Sequence, residues 1–225
     1  IPMGRLLVLE GLDGSGKATQ AALLGGWLTR MGQEYKHISF PDYKEESSAL
    51  VRLYLSGRLG TMAEVSPYGA SLFFAVDRYA SFLTGWKKDY DQGRLIVADR
   101  YATSNVAHQM SRLPRDQWDD YLRWQDDLEY DRVGLPRPDL VLYLDMEPEV
   151  SRMLLSRRYQ GHEEKRDIHE ADFQYLLSCR QAALYGAQKL GWQVISCSRD
   201  GAPHPPEVIA GLVREAALPL MQAKC

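Results

Sequence analysis

The segment Gly11-Leu12-Asp13-Gly14-Ser15-Gly16-Lys17-Ala18-Thr19 constrains this chain more than any other. An apolar run, Leu6-Leu7-Val8-Leu9, precedes it, and a helix-forming segment follows. The spacing of Gly11, Gly16 and Lys17 is that of a phosphate-binding loop between a strand and a helix. Glycines let the backbone close around an anion without Cβ clashes, and the inward amides and helix dipole attract it. Lys17 adds a point charge that reaches the outer phosphates. The next residue is Ala18 where such loops carry a Ser or Thr that helps hold a metal. Thr19, a carboxylate, or the nucleotide with its waters must then supply that help.

A loop of this kind sits at the end of a buried parallel strand. Further strands are predicted at about 35–40, 95–98, 140–144 and 192–197, with helical periodicity between them. Strand–helix alternation predicts an α/β fold: a five-stranded parallel sheet flanked by helices, with right-handed crossovers. The phosphate loop, a helical insert after the second strand and a basic stretch after the fourth together describe a small nucleotide-type P-loop kinase. The whole chain, 1–225, reads as one domain, and a hydrophobic content of 45% is enough for one sizeable core. A net charge of −3 without a basic tract argues against a polynucleotide partner. No apolar run approaches the length of a membrane span. Cys179, Cys197 and Cys225 lack metal-ligand spacing and read as reduced thiols of a cytoplasmic protein. Ile1-Pro2 reads as an expression remnant ahead of a natural start at Met3. The five histidines are scattered and receive no metal or catalytic role.

Three stretches after the loop bear on chemistry. Pro67 opens a helix predicted to run to about Asp91, with Tyr68, Leu72, Val76, Tyr79, Leu83 and Trp86 as its core stripe. Phe74 and Arg78 lie one turn apart on the opposite face. They could hold a flat base by face and edge, or form a second packing face with a solvated arginine. Asp99-Arg100-Tyr101 ends the third strand, so Asp13, Lys17, Asp99 and Arg100 could meet beyond the carboxyl ends of the strands. There Asp99 could orient Mg2+ through water and Arg100 could clamp a phosphate; a structural ion pair is the other reading. Ser104, Asn105 and Gln109 follow, able to read a base edge or to serve as caps. Finally, the charged run from Arg157-Arg158 through Arg166 lacks any apolar period. It is either a solvated loop or a mobile lid that brings arginines over a transferring phosphoryl group.

In order and spacing, Glu10 to Lys17, Phe40-Pro41, Leu72 to Arg78, Asp99-Arg100-Tyr101 and Pro138-Asp139-Leu140 resemble the thymidylate kinase family over almost the full length from Met3. The resemblance implies transfer of the ATP γ-phosphate to dTMP, giving dTDP and ADP for dTTP synthesis, with Mg2+, and a homodimer. It implies an acceptor-binding region at about 41–78 and a lid at about 157–171. Gly11 to Thr19 would hold ATP, with Lys17 on its phosphates. Phe74 would stack on thymine, Arg78 would bond its O4, and Asn105 and Gln109 would read the same edge. Phe40, Pro41 and Ser104 would line the dTMP site. Arg100 would bind the acceptor phosphate beside Asp13, and Asp13 and Asp99 would be the carboxylates nearest the metal. Where some relatives carry a loop arginine, this chain has Gly14, so a lid arginine, Arg157 or Arg158 and next Arg166, would act, as in the bacterial arrangement. Where some relatives place an arginine after Phe-Pro, this chain has Asp42-Tyr43, and Tyr43 would contribute a hydroxyl. Two other readings remain: a nucleotide-binding regulatory protein without turnover, and a deoxynucleoside kinase whose acceptor is a hydroxyl.

Overall fold

The first apolar run becomes the central strand, β1 (Arg5–Gly11), of the computed structural model, which describes residues 3–159 and 173–222. Chain order then gives α1 (Lys17–Arg30), β2 (Tyr35–Ser39), α2 (Ala49–Leu55), α3 (Pro67–Ser81), α4 (Lys87–Asp91), β3 (Leu95–Asp99), α5 (Thr103–His108) and α6 (Trp118–Asp126). These are followed by β4 (Leu140–Asp145), α7 (Pro148–Tyr159), α8 (Phe173–Leu190), β5 (Gln193–Ser196), a two-residue hairpin of β6 (Ser198–Arg199) and β7 (Ala202–Pro203), and α9 (Pro206–Gln222). The main sheet has the order β2-β3-β1-β4-β5 and is parallel throughout. The hairpin has too few residues to leave a periodic signal.

Strand alternation divides the core into two layers. Leu6, Val8, Ile96 and Ala98 face Trp86, Tyr101, Tyr121 and the small residues of α8. Leu7, Leu9, Leu95 and Val97 face Leu24 and Leu28 of α1 and Ile209 and Val213 of α9. Both faces are covered, so β1 is apolar without interruption from Leu6 to Leu9. Strand order reverses at β1, which pairs with β3 on one side and β4 on the other. Such a reversal opens a crevice beyond the strand ends.

Beyond Tyr68, which packs on Tyr121 and Trp124, the stripe expected to bury α3 is instead its outer face. Leu72, Val76, Tyr79 and Leu83 are about half exposed, whereas Ala70, Ser71, Ala75, Asp77, Arg78 and Ser81 are buried. Hydrogen bonding explains the inversion. Asp77 accepts from the Asp42 amide (2.8 Å) and Ser47 Oγ (2.7 Å), and Ser81 Oγ donates to Asp42 Oδ2 (3.0 Å). Ser71 Oγ and the Tyr121 hydroxyl are bonded at 2.7 Å. A polar face can therefore be interior, because its groups are satisfied there. A π-turn at Phe82–Trp86 shifts the helical phase, so Trp86 is buried although Leu83 is not. A second π-turn, Asp127–Arg132, continues α6. Met31 and Leu50 are exposed, and Val51 and Tyr54 anchor α2.

Candidate active site

Seen from β1, the site begins with backbone. Gly14 (φ 80°) and Gly16 (φ 84°) adopt left-handed conformations that favour glycine. Gly16 caps α1 without a side-chain hydrogen bond, and the first turn holds no acidic residue. The leading amides of α1 therefore face an anion site with no carboxylate competing on their own turn. A Cβ at Gly14 would lie 2.7 Å from the Ser151 carbonyl of α7 and 3.0 Å from Leu155 Cγ. An arginine is thus excluded at Gly14 both by conformation and by the helix packed over the loop.

Lys17 is buried, and its Nζ donates to the Leu12 carbonyl at 2.9 Å. Burial, and then the neighbouring Arg100, lower its pKa from 10.5 to about 8; Asp13, Asp99 and Glu10 pull the other way. Ser15 Oγ is buried with no partner among the described residues. Ala18 and Thr19 face solvent.

Arg100 lies at the turn after β3 with φ 69°, unusual for a residue with a Cβ. Its amide donates to the Leu9 carbonyl (3.0 Å), which ties the turn to β1. The guanidinium pairs with Asp13 and reaches Glu10 Oε1 at 3.4 Å. Burial opposes its charge, but Asp13, Glu10 and Asp99 outweigh that and hold it protonated. Strain of this kind persists only where surroundings over-determine it, and here both backbone and side chain are fixed. Glu10 is fully buried and accepts from the Gly11 amide (2.9 Å), Thr103 Oγ1 (2.8 Å) and Ser104 Oγ (2.7 Å).

Beside this pair opens a pocket of about 530 Å³, including its mouth. Asp13, Phe40, Pro41, Tyr43, Phe74, Arg78, Arg100, Ser104, Asn105 and Gln109 all line it. Phe74 stands edge-on to Tyr54, with centroids 6.1 Å apart. Arg78 is fully buried, its Nε and Nη2 engaged by Glu129, and its Nη1 has no hydrogen-bond partner among the described residues. Burial works against its charge and Glu129 more than restores it. Gln109 Oε1 accepts from Arg112 (2.7 Å), leaving Nε2 buried and unpartnered among the described residues. An orphaned donor costs about 1–3 kcal/mol until an acceptor arrives. The pocket therefore offers an aromatic face, a guanidinium edge and an unsatisfied amide.

Leu55, Tyr101 and His108 also line the pocket, and none was singled out from sequence as part of it. Glu10 and Glu129 were likewise missed as the buried partners of Arg100 and Arg78. A carboxylate closing an apolar central strand was a usable signal for Glu10. Glu129, 51 residues from Arg78, left none.

No cluster of three or more metal-binding side chains occurs among the described residues. Asp99 makes no side-chain hydrogen bond among them and lies close enough to Lys17 and Arg100 to influence both. One loosely held carboxylate beside Asp13 suits a magnesium ion carried chiefly by phosphates and water. Arg157 is exposed near the end of α7. The Arg158 side chain, Arg166 and the rest of the predicted lid lie outside the described residues.

A parallel sheet carrying a phosphate loop, with a base-sized pocket opening onto the same crevice, defines the class of P-loop nucleotide kinases. The thymidylate kinase family model matches residues 9–201, and the chain belongs to that family. It is 31% identical over 208 residues to the thymidylate kinase of Mycobacterium tuberculosis (strain ATCC 25618 / H37Rv), covering 87% of this chain and 92% of that one. It is 30% identical over 226 residues to the thymidylate kinase of Clavibacter michiganensis, covering 98% and 97%. The solved thymidylate kinase of Candida albicans superposes with a TM-score of 0.73 at 24% identity over 97% of this chain and 93% of that one, a likeness of fold. No helix among the described residues is long and apolar enough to cross a membrane.

Proposed function

We infer that this protein is a dTMP kinase, which transfers the γ-phosphate of ATP to the 5′-phosphate of dTMP and releases dTDP and ADP. One observation carries the reading: the pocket of Phe74, Arg78 and Gln109 meets the phosphate loop at the Asp13–Arg100 pair. A base held in the pocket directs its phosphate toward the loop, so donor and acceptor approach end to end. A deoxynucleoside kinase would need a carboxylate placed to deprotonate a hydroxyl. Asp13 is engaged by Arg100, a pairing better suited to a phosphate acceptor.

In this reading the α1 amides and Lys17 hold the ATP phosphates. Thymine stacks on Phe74, Arg78 Nη1 donates to its O4, and Gln109 Nε2 and Asn105 complete the edge. The dTMP phosphate displaces Asp13 from part of the Arg100 guanidinium. Tyr43, at the exposed rim, adds its hydroxyl, and Ser104 steadies Arg100 from 3.3 Å. Magnesium, when bound, neutralises charge shared between the phosphates, and Asp99 with Asp13 would hold its waters. Lys17 and Arg100 act most strongly on charge as it develops at the transition state. The chain functions as one domain, with residues 41–78 closing on dTMP and a bacterial-type lid at 157–171 supplying Arg157 or Arg158. Those arginines lie six and seven residues beyond Ser151, the α7 residue against Gly14, or about 10 Å along the axis. The exposed apolar face of α3 is the face by which two copies pair as a homodimer. Buried thiols at Cys179 and Cys197 fit a cytoplasmic setting.

A coupled ADP-release assay with dTMP, dUMP, thymidine and dGMP tests the reading. The expected order is dTMP first, with dUMP about fivefold poorer because the Pro41–Phe74 wall loses one methyl, worth about 1 kcal/mol. Turnover with thymidine but not dTMP would make it a nucleoside kinase. Tight nucleotide binding with no turnover on any acceptor would make it a regulatory protein.

A further inference from the structure

His108 received no role from its place in the sequence, yet it is buried in the wall of the acceptor pocket and touches Arg100. Its Nε2 lies 3.3 Å from Arg100 Nη1. A guanidinium has only donors, so this hydrogen bond exists only if Nε2 carries a bare lone pair. The neutral ring must then hold its proton on Nδ1. The other side of the ring agrees. The Tyr175 hydroxyl spends its single proton on the His108 carbonyl at 2.6 Å. Its oxygen is left to accept from His108 Nδ1 at 3.4 Å, with Cys179 Sγ at 3.7 Å from the same nitrogen. Burial pushes the Cys179 thiol up to about 12, so it stays neutral beside the ring. Tyr175 and Cys179 pack with Leu12 of the phosphate loop, and Tyr175 lies in the first turn of α8.

We propose that His108 is a positioning residue: its Nε2 lone pair, fixed by the Tyr175 hydroxyl on Nδ1, holds Arg100 in the orientation that receives the acceptor phosphate. Arg100 already has carboxylate partners in Glu10 and Asp13, and Ser104 Oγ is a second neutral acceptor 3.3 Å from the same Nη1. The carboxylates attract any guanidinium pose and the hydroxyl can rotate, whereas an acceptor on a rigid ring selects one pose. When the phosphate draws Arg100 from Asp13, Nε2 retains its hold on Nη1. The chain of contacts also links the acceptor arginine to α8, the helix that follows the predicted lid in sequence.

The inference rests on the assignment of Arg100 to the acceptor phosphate, so the tests separate the two. Nitrogen-15 spectra of the folded protein at pH 8 are expected to show His108 as the Nδ1–H form with Nε2 unprotonated. An Nε2–H ring would overturn the proposal. His108→Phe keeps a ring but loses the acceptor, and is expected to lower kcat/KM for dTMP about tenfold while the KM for ATP changes less than twofold. His108→Gln restores an acceptor near the Nε2 position and is expected to recover most of that loss. Tyr175→Phe, which preserves packing, is expected to cost about threefold through loss of the tautomer lock. Equal losses for both substrates, or no recovery with Gln, would overturn the proposal. A wild-type protein that turns over no dTMP would instead remove the acceptor assignment itself.

Discussion

Lys17 gives the sharpest prediction because the fold around it works against its charge. Burial and Arg100 hold its pKa at about 8, against 10.5 for the free side chain. At about 1.4 kcal/mol per pH unit, keeping this ammonium in the nucleotide-free fold costs about 3 kcal/mol at neutral pH. Lys17→Met removes that cost and also the hydrogen bond to the Leu12 carbonyl, worth about 1 kcal/mol. The variant is therefore expected to be more stable than the wild type by about 2 kcal/mol at pH 7, or about 4–8 °C in Tm for a chain of this length. Its turnover is expected to fall by about 10²–10³.

The sign of the pH dependence follows from proton counting. Below pH 8 the folded and unfolded chains both carry the Lys17 proton, and the wild type bears the full cost. Between 8 and 10.5 the unfolded chain keeps a proton that the folded chain has lost, so wild-type stability rises with pH. The stability difference between variant and wild type should shrink across that window, as read by urea denaturation of both proteins at pH 7, 9 and 10.5. A variant less stable than the wild type at pH 7, or a difference constant with pH, would refute the account of Lys17. The same reasoning predicts proton uptake on ATP binding at pH 8.5, seen as buffer-dependent heats in calorimetry; identical heats in buffers of different ionisation enthalpy would contradict it.

Other side chains give shorter tests. Arg78→Ala is expected to raise the KM for dTMP far more than that for ATP and, by stranding buried Glu129, to cost about 3–5 kcal/mol in denaturation. Adding Glu129→Gln should recover part of the stability but none of the dTMP affinity. Arg157→Ala and Arg158→Ala, made singly, should lower turnover in at least one case with little change in either KM; unaltered turnover in both would move the role to Arg166 or elsewhere. Val76→Glu on the exposed face of α3 should halve the mass seen by light scattering, and an unchanged mass would show that this face is not the dimer contact.

Some of this was readable because its causes are local. The loop is a short motif whose glycines, lysine and flanking elements all lie between Arg5 and Arg30. The strands are apolar runs whose alternation decides both core layers. The α3 face was misread because its inner side is polar. Ser71, Asp77, Arg78 and Ser81 are stable inside only through Tyr121, Ser47, Glu129 and Asp42, partners 30 to 51 residues away. Helical periodicity counts apolar residues and is blind to such pairing. Phe74 and Arg78 line the pocket all the same, since either orientation of the helix puts them opposite Leu72 and Val76. His108 was invisible for a related reason. A single histidine acquires meaning only when the turn after β3 brings Arg100 to one of its nitrogens and α8 brings Tyr175 to the other.

A crystal structure of the protein with dTMP and a non-hydrolysable ATP analogue bound together bears most directly on the central claim, that two phosphate chains meet head-on between Lys17 and Arg100. The account predicts thymine against Phe74, its phosphate on Arg100, and the terminal phosphate of the analogue on Lys17, with the two phosphates adjacent. Thymine bound away from Phe74, or a dTMP phosphate pointing away from the loop, would contradict it.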